Sequence, residues 1–273
     1  MLIAFITFVI AVLLAGLGNT VGYHRLLTHR SFKTSRPVRY LWTLLGAVYS
    51  GSPVLWVGLH RFHHARSDTD EDPHSPTGGF WWSHSGWLIG SRSPLIAIPF
   101  ALSGFGQQAL ILWHDVKRLA GRNPPTWRKL CRDLMEDPFM RALDAPLVMP
   151  ALFAAQVAAA WAVAGWWGIL WLWAVHLWLT NTSWAVNSIC HTELFGTRPH
   201  DTREGSRNVA WLALFTNGES YHNHHHRHPR SARHGLDGSL DLSWWVIRGM
   251  VALRLAHDPW LPKKRKRRRP AST

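Results

Sequence analysis

The sequence predicts an all-α integral membrane protein, with transmembrane helices and a cytosolic helical cap that holds a poly-histidine di-metal site. Three observations support this fold class. Uncharged apolar stretches alternate with strongly polar ones, and Trp and His each account for 18 of the 273 residues. Trp is typical of a lipid–water boundary, where its amphipathic ring sits at headgroup level. No long alternation of apolar and polar residues indicates β-structure.

The apolar stretches predict three membrane spans. Residues 2–18 carry no charge and are just long enough to cross a bilayer. Residues 145–164 and 166–186 are separated near Gly165 with no charge between them, which indicates a transmembrane hairpin. A cleaved signal peptide is the alternative for residues 2–18, but no Lys or Arg precedes that run.

Two further apolar stretches are predicted not to span. Histidine clusters that share one metal site must lie on one face of the membrane, so the chain between them crosses an even number of times. Residues 41–59 are too few to cross and return, so they are expected to form a buried or interfacial helix. The same reasoning applies to residues 94–113, which Pro99, Gly104 and Gly106 interrupt.

The charge distribution places the histidines on the cytoplasmic face. The net charge is +14, and basic residues follow the first span while none precedes it. Residues 1–256 are predicted to form the membrane domain. Residues 257–273 are predicted to be a disordered, solvated basic tail; the alternative is that the tail binds anionic lipid headgroups. No nucleic-acid partner is expected, because no recognition fold accompanies the charge. The two cysteines form no CxxC pair and exclude a cysteine-ligated iron–sulfur cluster within the chain.

Three histidine clusters carry most of the functional information. The residues His60, His63 and His64 are spaced i, i+3, i+4, which places three imidazoles on one face of a helix. The C-terminal cluster repeats that spacing with His222, His225 and His226. Neutral imidazole is the commonest metal ligand among side chains, so both clusters indicate metal binding.

Two further pairs extend this set. His24 and His29 are five residues apart and would diverge by about 140° on an ideal α-helix, so they can converge only near a helix end or across a gap between two ions. Asn187 and His191 are spaced i, i+4 where the hairpin leaves the membrane. The Asn187 side chain is either a metal or metal-bound-water ligand or a helix cap. Nine histidines suit two ions, because one ion with an open position uses three or four protein ligands.

The ligand type alone does not select the metal. Imidazole suits zinc, copper, iron and nickel. No HExxH motif is present and the five Met residues are not clustered with the histidines. Iron is favoured if the reaction is oxygen activation. The remaining histidines are predicted to be surface or core residues with satisfied hydrogen bonds: His74, His84, His114, His176, His200, His224, His228, His234 and His257.

These motifs, in this order, resemble the membrane fatty acyl desaturases of the stearoyl-CoA desaturase type. The family pattern is HRxxTH, then HRxHH followed by an acidic Asp-Pro-His stretch, then NSxxH, then GExxHNxHH. The matching segments are His24–His29, His60–His64 with residues 67–74, Asn187–His191 and residues 218–226. The resemblance covers about residues 12–255.

The resemblance implies a four-span protein with a cytosolic cap and a centre of two Fe ions. It assigns the metal ligands to His24, His29, His60, His63, His64, His191, His222, His225 and His226, with Asn187 in a water-mediated place. It implies O2-dependent insertion of a cis double bond, most commonly Δ9, into a saturated acyl chain on CoA or lipid. Since the sequence has no flavin, dinucleotide, cluster or haem motif, the electrons must come from an external donor: a ferredoxin, a cytochrome b5-like protein or a reductase.

The chain departs from the family pattern in four places. The stretch 92–135 is longer than usual, and residues 192–194 precede Phe195 and Gly196 where the family is often shorter. The family usually has two spans before the first motif, where this chain has room for one, and His228 stands where Phe is more usual before Pro229. Two alternative functions are a related di-iron lipid or alkane hydroxylase and a non-enzymatic metal-binding or transport protein. The mass of the lipid product separates the first from a desaturase. The second predicts polar or ionisable residues within paired spans, whereas here His176 and Gln156 lie inside the hairpin and the histidine clusters lie outside it.

Overall fold

The structure is a computed structural model that describes residues 1–122, 126–236 and 238–263. Residues 264–273 of the predicted basic tail lie outside the described residues, as do residues 123–125, for which the sequence Gly121-Arg122-Asn123-Pro124-Pro125 predicts a loop.

Helices account for nearly all regular structure in the described residues. A π-helical segment, Gly18–Thr28, continues directly from the first α-helix. The α-helices are α1 (Leu2–Leu17), α2 (Arg36–Ser50), α3 (Pro53–Arg66), α4 (Trp87–Ile89), α5 (Pro94–Leu102), α6 (Gly106–Leu119), α7 (Arg132–Met135), α8 (Pro138–Asp144), α9 (Val148–Ile189), α10 (His222–Arg227) and α11 (Leu242–Ala252). Two short strands, β1 (Lys33–Thr34) and β2 (Ala256–His257), pair antiparallel.

Among the described residues, two helical segments are long and apolar enough to cross a membrane, and the bent pair α5 and α6 would add a third if it forms one span. The two segments are Leu2–Thr28 and Val148–Ile189, in which an 18-residue window has a mean hydropathy of 2.4 and 1.6, respectively. Much of α1 is exposed and apolar, including Leu2, Ile3 and Phe5. A surface of this kind is stable against lipid and costly in water, so the protein is a membrane protein.

The chain reverses inside α9. Helical backbone is interrupted at Ala164 and at Gly165, whose φ of +54° favours glycine. The two halves then run side by side, because the Gln156 Oε1 atom lies 3.3 Å from Nε2 of His176, twenty residues further on. The Gln156 amide also donates to the Val48 carbonyl at 3.0 Å. The Gln156 side chain therefore holds the two halves of this apolar hairpin to each other and to α2.

The apolar stretch 41–59 forms two helices, where one was expected. Helix α2 ends at Gly51, whose φ is +79°, and α3 begins with Ser52 as its N-cap and Pro53 in its first turn. The glycine conformation and the missing proline N–H end one helix and start the next. Helix α2 packs closely on the π-helical segment, since a Cβ on Gly18 would lie 2.3 Å from the Gly46 nitrogen.

The stretch 94–113 is also broken. Helices α5 and α6 meet at an angle of 98°. The Ser103 carbonyl at the break accepts a hydrogen bond from the Trp173 indole at 3.0 Å, which fixes the bend against α9.

Ordered contacts continue past residue 256. His257 pairs with Lys33 between β1 and β2. The Trp260 backbone N–H donates to the Ser31 carbonyl at 2.8 Å, and its carbonyl accepts from the Ala232 N–H at 2.9 Å. The segment around Trp260 therefore closes over the region where the first histidine motif leaves its helix.

Candidate metal centre

The π-helical segment brings the first histidine pair together. Its backbone hydrogen bonds join residues five apart, and the last of them runs from the His29 N–H to the His24 carbonyl at 3.1 Å. The two imidazole centroids lie 4.8 Å apart. The divergence expected from ideal α-helical geometry is therefore absent, because a π-helix has more residues per turn.

Five imidazoles form one group: His24, His29, His60, His64 and His225. Their ligand atoms all lie within 4.8 Å of one another. The Nε2 atom of His225 is 3.2 Å from that of His24 and 2.9 Å from that of His64. The Nε2 atom of His64 is in turn 3.1 Å from that of His60. Helices α3 and α10 and the π-helical segment thus aim their imidazole tips at one point.

The other four imidazoles form a second group: His63, His191, His222 and His226. The Nε2 atoms of His222 and His226 are 3.1 Å apart. The two groups are adjacent, because His64 of the first stacks on His226 of the second with 4.5 Å between ring centroids. The structure thus brings together all nine histidines that the sequence singled out and divides them five and four.

The donor set fits two metal ions. Nitrogens about 3 Å apart match two ligands that each lie about 2.1 Å from one ion and subtend a right angle there. The Nε2 atoms of His29 and His191 are buried and have no hydrogen-bond partner among the described residues. A buried polar atom without a partner is costly, and one ion bound in each group would satisfy these two atoms.

Four of the imidazoles are neutral at neutral pH, as metal ligands must be. Burial lowers the pKa of His60, His64, His222 and His225 well below the ordinary histidine value, and neighbouring imidazoles lower it further. Protons therefore do not compete for the ring nitrogens, and mutual repulsion between imidazolium ions does not arise.

Carboxylates contact the outer ring nitrogen of four of these histidines. Nδ1 of His24 lies against Glu219, and Nδ1 of His63 lies 2.9 Å from Asp72. Nδ1 of His191 is 3.0 Å from Asp68, and Nδ1 of His226 is 3.6 Å from Glu204. A carboxylate hydrogen-bonded to Nδ1, as at His24, His63 and His191, fixes the tautomer and ring orientation and leaves Nε2 for a metal. Glu204 lies beyond hydrogen-bonding distance of His226.

These carboxylates were not singled out as site residues from the sequence. Asp68, Asp72 and Glu219 lie within the matched motifs, so their proximity to the histidines in the sequence could have identified them as site residues. Glu204 has no such signal, because only the folded loop brings it to His226. Arg25 is fully buried and pairs with both Glu219 and Asp241 at 2.9 Å.

Two histidines that were expected to be ordinary core residues belong to this network. His74 shares the Asp72 carboxylate and lies 4.4 Å, centroid to centroid, from His63. His234 is fully buried, with Nδ1 3.1 Å from Glu219. By contrast, His84 has the satisfied hydrogen bonds expected of it, to Ser188 and Asn181.

Asn187 lies where two apolar cavities meet. One cavity of about 500 Å³ runs between α1 and α9 and reaches His24, His60 and His222. A second of about 350 Å³ lies on the other side and reaches His60 and His74. Asn187, His60 and Trp56 line both. An apolar ligand in either cavity would thus end against the imidazole groups.

Apolar helices, imidazole groups able to hold metal ions and apolar cavities that end on those groups define a membrane metalloenzyme for an apolar substrate. The sequence matches the fatty acid desaturase family over residues 2–248, so the chain belongs to that family and is an acyl desaturase, an oxidoreductase. The resemblance drawn from the histidine motifs is confirmed.

Three relatives show how far the similarity extends. The chain is 36% identical over 253 residues to the sn-1 stearoyl-lipid 9-desaturase of Anabaena variabilis, covering 92% of this chain and 81% of that protein. It is 35% identical over 258 residues to the Synechocystis sp. enzyme of the same name, covering 93% and 71%. It is 36% identical over 250 residues to an acyl-CoA 5-desaturase of Anemone leveillei, covering 90% and 68%.

Proposed function

We propose that this protein uses two iron ions and O2 to insert a cis Δ9 double bond into a saturated acyl chain. One observation carries the proposal: the cavity of about 500 Å³ ends on imidazoles of both groups, His24 and His60 of the first and His222 of the second. An acyl chain in this cavity presents one pair of methylenes to both ions. The Δ9 position rests on the names of the relatives from Anabaena variabilis and Synechocystis sp..

The two groups of imidazoles would hold one ion each, and Asn187 would contribute through a metal-bound water. Iron with dioxygen supplies the oxidising power that unactivated methylenes require. The overall reaction takes two hydrogens from adjacent methylenes and adds O2, two electrons and two protons, and it yields the alkene and two waters. The carboxylates at Nδ1 keep the imidazoles oriented during the reaction. Trp56 stacks on His60, with 5.1 Å between ring centroids, and forms one side of the site.

The methyl end of the acyl chain lies between α1 and α9. The CoA or lipid that carries the chain lies at its other end. The cavity of about 350 Å³ shares Leu55, Ile111 and His114 with a third cavity of about 270 Å³. That third cavity has a net positive lining: Lys117, Arg118, Arg122 and Arg128 outnumber the carboxylates Asp115 and Asp144. Arg118 and Arg128 pair with these carboxylates, which leaves Lys117 and Arg122. Its cations suit the phosphate of a CoA or of an anionic lipid headgroup.

Electrons come from a separate acidic carrier protein. A cavity of about 410 Å³ reaches His29, His64 and His226 from outside the apolar core. Arg61, Arg203 and Arg227 line the same cavity and outnumber its carboxylates, Asp201 and Glu204. The net positive charge would attract an acidic ferredoxin, cytochrome b5-like protein or reductase to the place nearest the ions. Replacing Arg227 with Glu should raise the KM for the donor, whereas replacing exposed Arg248 on α11 should not.

The protein crosses the membrane three times, with the histidines on the cytoplasmic face. The N-terminal helix crosses once and the α9 hairpin crosses twice. Exposed Trp161, Trp166 and Trp167 at the hairpin tip suit the opposite lipid–water interface. Reporters fused at residue 1 and residue 273 should lie on opposite sides, and the same side for both would contradict this topology.

Lipid analysis after expression in a host that lacks unsaturated fatty acids tests the function. A product two mass units lighter, with a cis double bond at carbon 9, is expected, and a product sixteen mass units heavier would identify a hydroxylase instead. Purified protein with iron, an electron donor and either stearoyl-CoA or a stearoyl-lipid separates the two carriers. No conversion of either carrier, with iron bound and the donor oxidised, would refute the proposal.

A further inference from the structure

A third histidine group lies outside the nine imidazoles of the metal centre. Its members are His200, His224 and His228, whose ligand atoms all lie within 4.8 Å of one another. Nε2 of His200 is 3.0 Å from Nδ1 of His224, and both rings lie within 5.5 Å of His228, centroid to centroid. We propose that this group is a separate site for a zinc-type divalent metal ion.

The backbone holds this group in place without using the imidazoles. The Asn223 amide accepts a hydrogen bond from the His200 N–H at 2.9 Å and donates to the His200 carbonyl at 3.0 Å. The His224 N–H donates to Asn208 Oδ1 at 3.0 Å, and the His228 N–H donates to the His224 carbonyl at 3.0 Å. The main-chain hydrogen bonds therefore position the three imidazoles, and the ring nitrogens remain available to bind one ion.

The site is separate from the metal centre but shares a helix with it. His224 and His228 are spaced i, i+4 at the C-terminal end of α10, whereas His222, His225 and His226 of that helix belong to the two inner groups. His200 and His228 are partly exposed and line a surface cavity of about 660 Å³. An ion can reach this group from solvent without passing through the metal centre.

The chemistry of the group selects the kind of ion. No carboxylate or cysteine joins the three imidazoles among the residues that the structure describes. All-nitrogen ligation suits Zn²⁺ or Cu²⁺ and excludes Mg²⁺ and Ca²⁺, which require oxygen ligands. Three ligands leave a fourth position open. The cavity also contains Arg227 and Lys263, and their charges favour water-derived hydroxide or another small anion in that position.

A bound ion would cross-link the His200 loop to α10. Because α10 supplies three of the nine inner imidazoles, the ion would stabilise the helix that carries them. The alternative for this cluster is a simple hydrogen bond between His200 and His224, which needs no metal.

Metal analysis of the full-length, iron-loaded protein in detergent separates these possibilities. After equilibrium dialysis against buffered micromolar free Zn²⁺, we expect one zinc per chain in addition to the iron. The variants His200→Ala and His228→Phe should lose that zinc and keep their full iron content. The variant His257→Ala, which removes an exposed histidine outside the group, should retain it.

Two further measurements keep the proposal falsifiable. Zinc should raise the melting temperature of the iron-loaded wild type and leave that of His200→Ala unchanged. One equivalent of Cu²⁺ should give an electron paramagnetic resonance signal with nitrogen couplings that His228→Phe weakens. Equal zinc content in the wild type and both variants, or no zinc in the wild type, would overturn the proposal. The iron content, read in the same samples, reports separately on the metal centre.

Discussion

Nδ1 of His63 lies 2.9 Å from an Asp72 oxygen, and both side chains are buried. The second Asp72 oxygen accepts from the His74 N–H at 3.3 Å. Burial by itself would raise the pKa of Asp72, but the hydrogen bond from His63 and the nearby His74 outweigh it and lower that pKa. The carboxylate is therefore ionised and holds His63 with Nε2 directed inward.

Replacing Asp72 with Asn should weaken the second imidazole group. The amide cannot fix the His63 tautomer as a carboxylate does, so we expect metal affinity or activity to fall about 10–100-fold. Metal content and the rate of product formation measure the effect. The matched control is Asp70→Asn, two residues away and exposed, and an equal loss in both variants would contradict the assignment.

Removing one histidine from either imidazole group should remove one of the two iron ions. His63→Ala lacks a member of the group of four, and His225→Ala lacks a member of the group of five. Each variant should retain its helical circular dichroism, bind one iron where the wild type binds two, and form no product. Normal desaturation in either variant would show that its group is not part of the reaction centre.

A large residue in the apolar cavity should shorten the acyl chains that are accepted. Val12 lines the cavity between α1 and α9, so Val12→Trp fills the space for the methyl end. The product profile should shift to shorter chains while desaturation itself continues. Ile10, on the same helix, is 50% exposed and does not line the cavity. Ile10→Trp should leave the profile unchanged, and an identical shift in both variants would argue against this placement.

The buried Arg25 should matter far more to stability than the exposed Arg30. Arg25→Met leaves Glu219 and Asp241 buried without their cation, which should cost about 3–5 kcal/mol. Arg30 pairs with Asp133 at the surface, so Arg30→Met should cost about 0–1 kcal/mol. Unfolding in detergent, followed by tryptophan fluorescence, compares the two variants. Similar free energies of unfolding would mean that the buried network does not hold the site together.

The turn of the α9 hairpin should require glycine. Gly165 has a φ of +54° and open space around it, so Gly165→Ala should cost about 1–3 kcal/mol from backbone strain alone. Gly249 also has open space but lies within α11, and Gly249→Ala should stabilise by about 0.5–1 kcal/mol. Melting temperatures in detergent should therefore move in opposite directions, and a rise for Gly165→Ala would contradict the strained turn.

Several features of the site followed from local spacing. The i, i+3, i+4 patterns around His60 and His222 predicted imidazoles on one helix face, and both clusters lie on helices. The spacing of His24 and His29 gave the wrong geometry, because it was judged against an α-helix and the structure has a π-helix there. The break at Gly51 was likewise missed in an apolar run whose hydropathy alone suggested one helix.

By itself the sequence determined the class of protein, the apolar segments and the nine histidines, because each depends on residue type and on spacing within one segment. The division of those histidines into five and four, the carboxylates that face four of the imidazoles, and the meeting of two cavities at Asn187 were decided only by the tertiary structure. The reason is physical: these relationships join side chains up to about two hundred residues apart, such as His24 and His225. Their directions depend on how helices pack, which no local pattern encodes.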